Sequence, residues 1–134
     1  MVNVADPVAV GFIKSLARPG GNITGMSNQT GEIISKHPEL LRIAIPGLSG
    51  IAVLRNPNAV SSAVFLKQIQ ASATTLGLKV RLLEARTVTD LDGVFDALKN
   101  ERTTAMIVTP DALFSAHSRR IAEFARDHRI ATMF

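Results

Sequence analysis

Residues 51–84 read IAVLRNPNAVSSAVFLKQIQASATTLGLKVRLLE, and three changes of pattern within them decide the fold. Ile51 to Arg55 is a short apolar run of strand length. From Ser61 to Leu76 the apolar positions Phe65, Ile69, Ala73 and Leu76 recur at helical spacing. Gly77 stops that helix, because a glycine takes the left-handed backbone that ends helices at no steric cost. Lys79 to Glu84 then alternates loosely, as a second strand does. Strand, helix and strand in so short a stretch make a βαβ unit, whose two strands lie parallel in one sheet.

The same alternation continues downstream. Thr89 is read as the cap of a helix carrying Leu91, Val94 or Phe95, and Leu98. Ala105 to Val108 is a buried strand. Asp111 to Asp127 reads as one helix with Leu113, Ala116, Ile121, Phe124 and Ala125 inward, and Ile130 to Phe134 begins another strand. The expected fold class is therefore α/β: a three-layer, doubly wound domain with a mainly parallel sheet and helices on both faces. Counting strands from Ile51, the order is second, first, third, fourth, with the first and third adjacent.

Upstream the signals are shorter. Met1 to Ala5 is apolar enough for a strand. Asp6 and Pro7 offer an N-cap and a first helical position, with Val8, Phe12 and Leu16 on one face and Arg18-Pro19-Gly20-Gly21 as the stop. Ile23 to Ser27 is a short strand. A helix from about Glu32 to Ala44 ends at Pro46-Gly47, but Pro38 lies inside it and is expected to break it near Ser35, because proline lacks the N–H and crowds the preceding turn.

The chain has 134 residues, enough for one domain with a real core and too few for two. Hydrophobic residues are 46% and charged ones 19%, a globular balance. The net charge of +4 is spread out. Its tightest group, Arg119, Arg120, Arg126 and Arg129, shares a helix with Glu123 and Asp127 and reads as a solvated face. A nucleic-acid surface needs a clustered stripe, usually with stacking aromatics. Cysteine is absent, which excludes disulfides, thiolate catalysis and cysteine metal sites. No run approaches the roughly 18 apolar residues of a membrane span. No signal peptide follows Met1, so a product genuinely starting there would stay in the cytoplasm.

In doubly wound sheets, ligands sit beyond the carboxyl ends of the strands where the strand order reverses. Here those ends carry residues 55–61 and 109–111. Ser61 or Ser62 begins the following helix, whose free N–H groups and dipole suit a carboxylate, and Asn56 and Asn58 add side-chain donors. Asp111 is the right partner for an ammonium group. Each of these also has a plain structural role open to it: Ser61 and Asp111 as helix caps, Asn56-Pro57 as a turn. Helix N–H groups on one side and an acid on the other would suit an amino-acid zwitterion. The glycines of residues 19–25 follow a helix and precede a strand, the reverse of a dinucleotide or phosphate loop. His37, His117 and His128 lack ligand spacing and read as surface or rim histidines, so neither metal nor cofactor is expected. Asp90 and Asp92 flank a helix start and serve its dipole. No nucleophile–base pair points to an enzyme.

Several motifs in fixed order carry a resemblance. They are DPVAVGFIKSLARPGGNITG at residues 6–25, Leu40-Leu41 before Ile45-Pro46-Gly47, and Ile51 to Leu54 with Asn56-Pro57. Leu76-Gly77-Leu78, Pro110-Asp111, Leu113-Phe114, His117, Arg119-Arg120-Ile121-Ala122 and His128-Arg129 follow. The chain resembles the extracytoplasmic substrate-binding proteins of an ABC-transporter group, which includes binders of aromatic amino acids. The resemblance implies a two-lobed type I periplasmic-binding fold, outside the cytoplasmic membrane, that closes on a small solute and presents it to a permease. It implies that residues 1–27 form the lobe crossing and residues 28–134 most of the second lobe, with the rest of each lobe beyond Met1 and Phe134. It also assigns ligand contact to the loops that topology selects. An incomplete sheet would pair with a second copy of itself, so a homo-oligomer is expected. Two other readings share the architecture. A receiver-like regulatory domain needs acidic residues where Arg55-Asn56-Pro57 stand. The effector-binding core of a transcriptional regulator needs a helix-turn-helix upstream.

Overall fold

The apolar runs become strands with almost the expected limits. The computed structural model of the chain describes residues 2–4, 8, 11–18, 20–22, 25–27 and 30–134. Strands β1 (Val2–Val4) and β2 (Gly25–Ser27) form a parallel pair of their own. There follow α1 (Thr30–Ser35), α2 (His37–Ala44), β3 (Gly50–Arg55), α3 (Ser62–Thr75) and β4 (Lys79–Glu84). Then come α4 (Val88–Lys99), β5 (Ala105–Val108), α5 (Ala112–Ala116), α6 (Ser118–Asp127) and β6 (Ala131–Met133).

β3 to β6 make a four-stranded sheet in the order β4-β3-β5-β6, every pairing parallel. This is the expected order: β3 and β5 are neighbours through Ala52↔Met106, Val53↔Ile107 and Leu54↔Val108. Because successive strand residues face opposite ways, the two central strands feed two cores. Ile51, Val53, Ala105 and Ile107 pack with Ile34 of α1, Leu41 of α2 and Phe65, Ile69 and Ala73 of α3. Ala52, Leu54, Met106 and Val108 pack with Leu91, Phe95 and Leu98 of α4 and Ile121 and Ala125 of α6. The result is the three-layer α/β arrangement.

Helix ends follow local chemistry. α3 stops at Gly77, whose φ of +69° lets the Leu78 amide reach back to the Ala73 carbonyl at 2.8 Å. α6 ends in the same way, with the Ile130 amide on the Ala125 carbonyl at 2.8 Å, but Arg129 holds the left-handed position at φ +55°. Pro38 divides the second helical pattern as expected: α1 ends at Ser35, and α2 restarts with the proline in its first turn.

Four expectations are corrected. Residues 8 and 11–18 form turns and no helix, although Val8, Phe12 and Leu16 are spaced for one. Gly11 at φ +78° is incompatible with a continuing helix, and Phe12 and Leu16 are left 47% and 67% exposed. Asp6 and Pro7 lie outside the described residues. The cap of α4 is Thr87, not Thr89: its hydroxyl accepts the Asp90 amide at 3.2 Å, and Asp90 in turn accepts the Arg86 amide at 2.9 Å. The helix read from Asp111 to Asp127 is two, interrupted at His117. His37, expected at the surface, is buried at 5% exposure, and its Nδ1 has no hydrogen-bond partner.

Candidate functional site

β3 and β5 lie side by side, but their continuations part, α3 running to β4 at one edge and α5 and α6 to β6 at the other. The loops leaving their carboxyl ends therefore diverge, which is how an α/β sheet opens a crevice. The strand ends are pinned first. The buried Thr109 donates to the Leu54 carbonyl twice, from its amide at 2.9 Å and its hydroxyl at 3.1 Å.

Asn56 and Asp111 meet just beyond that point. Asn56 Nδ2 donates to Asp111 Oδ2 at 3.2 Å, and Asn56 Oδ1 accepts the Asn58 amide at 3.0 Å. Asp111 Oδ1 accepts the Leu113 amide at 2.8 Å, so the acid does cap α5. Its structural role and its place in the site are thus held together by different oxygens. Of the sequence-predicted residues, Asn56, Asn58 and Asp111 form one hydrogen-bonded group, in which Asn58 takes part through its backbone.

Ser61 and Ser62 stand at the start of α3. Ser61 is in helical conformation and makes no side-chain cap bond, which removes the capping role. Ser62 is 2% exposed, and its hydroxyl has no partner. The Ser62 amide is taken by the Ala59 carbonyl and the Phe65 amide by the Ser61 carbonyl, at 3.0 and 3.1 Å. That leaves the amides of Ala63 and Val64 without a backbone acceptor at the positive end of a helix of 14 residues. Ala63 is exposed and Val64 half-buried, so both are open to an incoming anion.

Sequence reasoning missed two neighbours. Arg55 binds Glu84 at the carboxyl ends of β3 and β4, with Nη2 at 2.6 Å and Nε at 3.1 Å, and Arg86 approaches the same carboxylate at 3.6 Å. The available signal was a charge closing each of two apolar strands. Val60, between Asn58 and Ser61, is 78% exposed and gives the loop an apolar tip.

Among the described residues, two hollows lie away from these loops. One of about 210 Å³ is at the opposite, amino end of the sheet, beside Lys79, Arg81 and Arg102. The other, a groove of about 540 Å³, runs between α1 and α3. Asp92, read as serving its helix dipole, instead pairs with Arg120 and ties α4 to α6. Among the described residues no group of His, Asp or Glu side chains is placed to hold a metal ion, and no helix is long and apolar enough to cross a membrane.

Residues 1–133 match the family described as ABC transporter substrate binding protein. The chain belongs to that family. It is similar, at 26% identity over 130 residues, to a protein named tyrosine-binding protein from Clostridioides difficile (strain R20291), covering 97% of this chain and 37% of that protein. Three solved structures superpose well. An ABC domain from Streptococcus pneumonia in complex with L-Trp gives a TM-score of 0.80 at 20% identity, covering 98% of this chain and 44% of that one. A ligand-free, open substrate-binding protein with adhesive properties from Clostridium difficile gives 0.74 at 27%, covering 98% and 44%. A conserved domain protein from Vibrio cholerae gives 0.81 at 22%, covering 96% and 42%. The chain thus spans less than half the length of these members of the periplasmic-binding architecture.

Proposed function

We propose that this chain supplies one lobe of the extracytoplasmic solute-binding component of an ABC importer. The solute is a small polar molecule, an amino acid, held between this lobe and a second one, and the loaded protein is handed to a membrane permease. Residues 28–134 act as the lobe, and residues 1–27 as the crossing toward its partner. The observation that carries this reading is the pairing of opposite charge preferences at one end of the sheet. The loop after β5 presents the Asp111 carboxylate, and the loop after β3 leads to two unclaimed amides at the start of α3. An ammonium group pairs with the first and a carboxylate with the second, through charge-assisted hydrogen bonds. Asn58 and Ser61 stand beside the carboxylate side, with the Ser62 hydroxyl buried beneath them, and Val60 offers apolar cover to a side chain. The tyrosine-binding relative supports an aromatic amino acid as the solute.

No covalent step is involved. The solute selects the closed form of the lobes, because it contacts both of them only when they are shut. Isothermal titration of the complete gene product with a panel of amino acids tests the assignment. L-tyrosine or L-tryptophan should bind, and their deaminated and decarboxylated analogues should bind far more weakly. Equal binding of the analogues would remove the zwitterion reading.

A further inference from the structure

We infer that Asn56 is a positioning residue that locks the Asp111 carboxylate in a ligand-facing orientation and does not itself contact the solute. The inference rests on the functional reading above and changes the expected role of Asn56, which as a sequence looked like a direct donor.

The side-chain amide of Asn56 is anchored at both ends, by one of its two N–H groups and one lone pair of its oxygen. Its oxygen accepts the Asn58 amide at 3.0 Å and its nitrogen donates to Asp111 Oδ2 at 3.2 Å. Its orientation follows from its partners: a flipped amide would set N–H against N–H at Asn58 and oxygen against oxygen at Asp111. The Asn58 amide is itself fixed, because the Ala59 amide closes the turn onto the Asn56 carbonyl at 3.1 Å. Asn56 is therefore a rigid arm, anchored in the loop after β3, that reaches a carboxylate in the loop after β5.

Asp111 is consequently held from two directions, by Leu113 on Oδ1 and by Asn56 on Oδ2. With the cap bond alone, the carboxylate could turn about its last torsion, which is broad for aspartate. With both, it is fixed before any solute arrives, and the ordering cost of binding falls. An ionised carboxylate has about four acceptor positions, so about two remain open once these donors are bound. Two open acceptor positions on a fixed carboxylate suit the diverging N–H groups of a primary ammonium. The site therefore favours primary amines over N,N-dimethylated ones, which retain one donor.

The test has an arm that needs no ligand. In this chain, Asn56→Leu keeps the bulk of the side chain and removes the donor, and Asn56→Ala guards against crowding by the leucine. Amide exchange followed by NMR should speed up at Leu113 by roughly tenfold, with the β3–β5 ladder unchanged. In the complete gene product, Asn56→Leu should weaken L-tyrosine binding by roughly tenfold and have no further effect once Asp111 is replaced by alanine. A loss that persists in the Asp111→Ala background would make Asn56 a direct ligand contact and overturn the inference. Unchanged exchange at Leu113 would overturn it as well. Should L-tyrosine fail to bind the unmodified protein, the amino-acid reading falls, and the Leu113 exchange still decides whether Asn56 braces Asp111.

Discussion

Asp111 shows how one side chain divides its work between its oxygens. As the cap of α5 its loss should lower stability by about 1 kcal/mol. In its proposed role as the partner of a solute ammonium, its loss would leave a desolvated cation unpaired, at about 2–4 kcal/mol in affinity, or roughly 30- to 1,000-fold. Titration calorimetry and thermal unfolding of Asp111→Ala separate the two, and unchanged affinity in a destabilised variant would confine the residue to capping. His37 gives a second prediction at this scale. Burial pushes its pKa below the ordinary histidine value of 6.5. The folded chain then resists taking up a proton that the unfolded chain accepts. Its stabilising share is complete above pH 6.5 and is lost as pH falls toward the native pKa, at no more than about 1.4 kcal/mol per pH unit. Denaturant midpoints measured from pH 7.5 to 5 should fall, and His37→Phe should flatten that slope.

Elements were legible where periodicity and punctuation agreed. The 79–84 and 105–108 strands have the limits that the sequence implies, and Pro38 divides a helix as its chemistry requires. Misreadings have physical causes. Val8, Phe12 and Leu16 carry a helical period, but a period cannot reveal that Gly11 takes a left-handed backbone. Thr87 and Thr89 both offer a capping hydroxyl, and only the reach of Asp90 back to the Arg86 amide decides between them. The Asn56–Asp111 bond joins residues 55 positions apart, and no local pattern could signal it. Topology did place both residues at the same sheet end, so their proximity was readable while the bond between them was not. The two left-handed helix ends give a paired prediction. Gly77→Ala forces a side chain into a backbone that disfavours it, and should cost about 1–2 kcal/mol. Arg129→Gly relieves the same strain at the end of α6 and should raise stability by up to about 1 kcal/mol, smaller because glycine also gains freedom in the unfolded chain. Urea midpoints of the two variants should therefore move in opposite directions.

At the scale of the whole molecule, several large apolar side chains among the described residues face solvent. Phe12, Leu16, Ile33, Leu40, Ile43 and Phe134 are 47–71% exposed, and they come from segments on both sides of the sheet's sequence. β4 and β6 are edge strands, and β6 is neither bulged nor fully covered, with all three of its residues half-buried. An open edge next to apolar side chains offers both backbone pairing and surface burial to a second chain. Alone, we expect the chain to make that contact with a copy of itself, as a dimer or larger. Contacts of ordinary specific size hold at micromolar concentration, so multi-angle light scattering at about 100 μM should report at least twice the chain mass. Replacing Ile43 and Leu40 by lysine should lower that mass if α2 is in the contact, and replacing Thr132 by proline should do so if β6 is. A monomer at that concentration would mean that the exposed apolar residues are too scattered to make an interface, and the association proposal would fall.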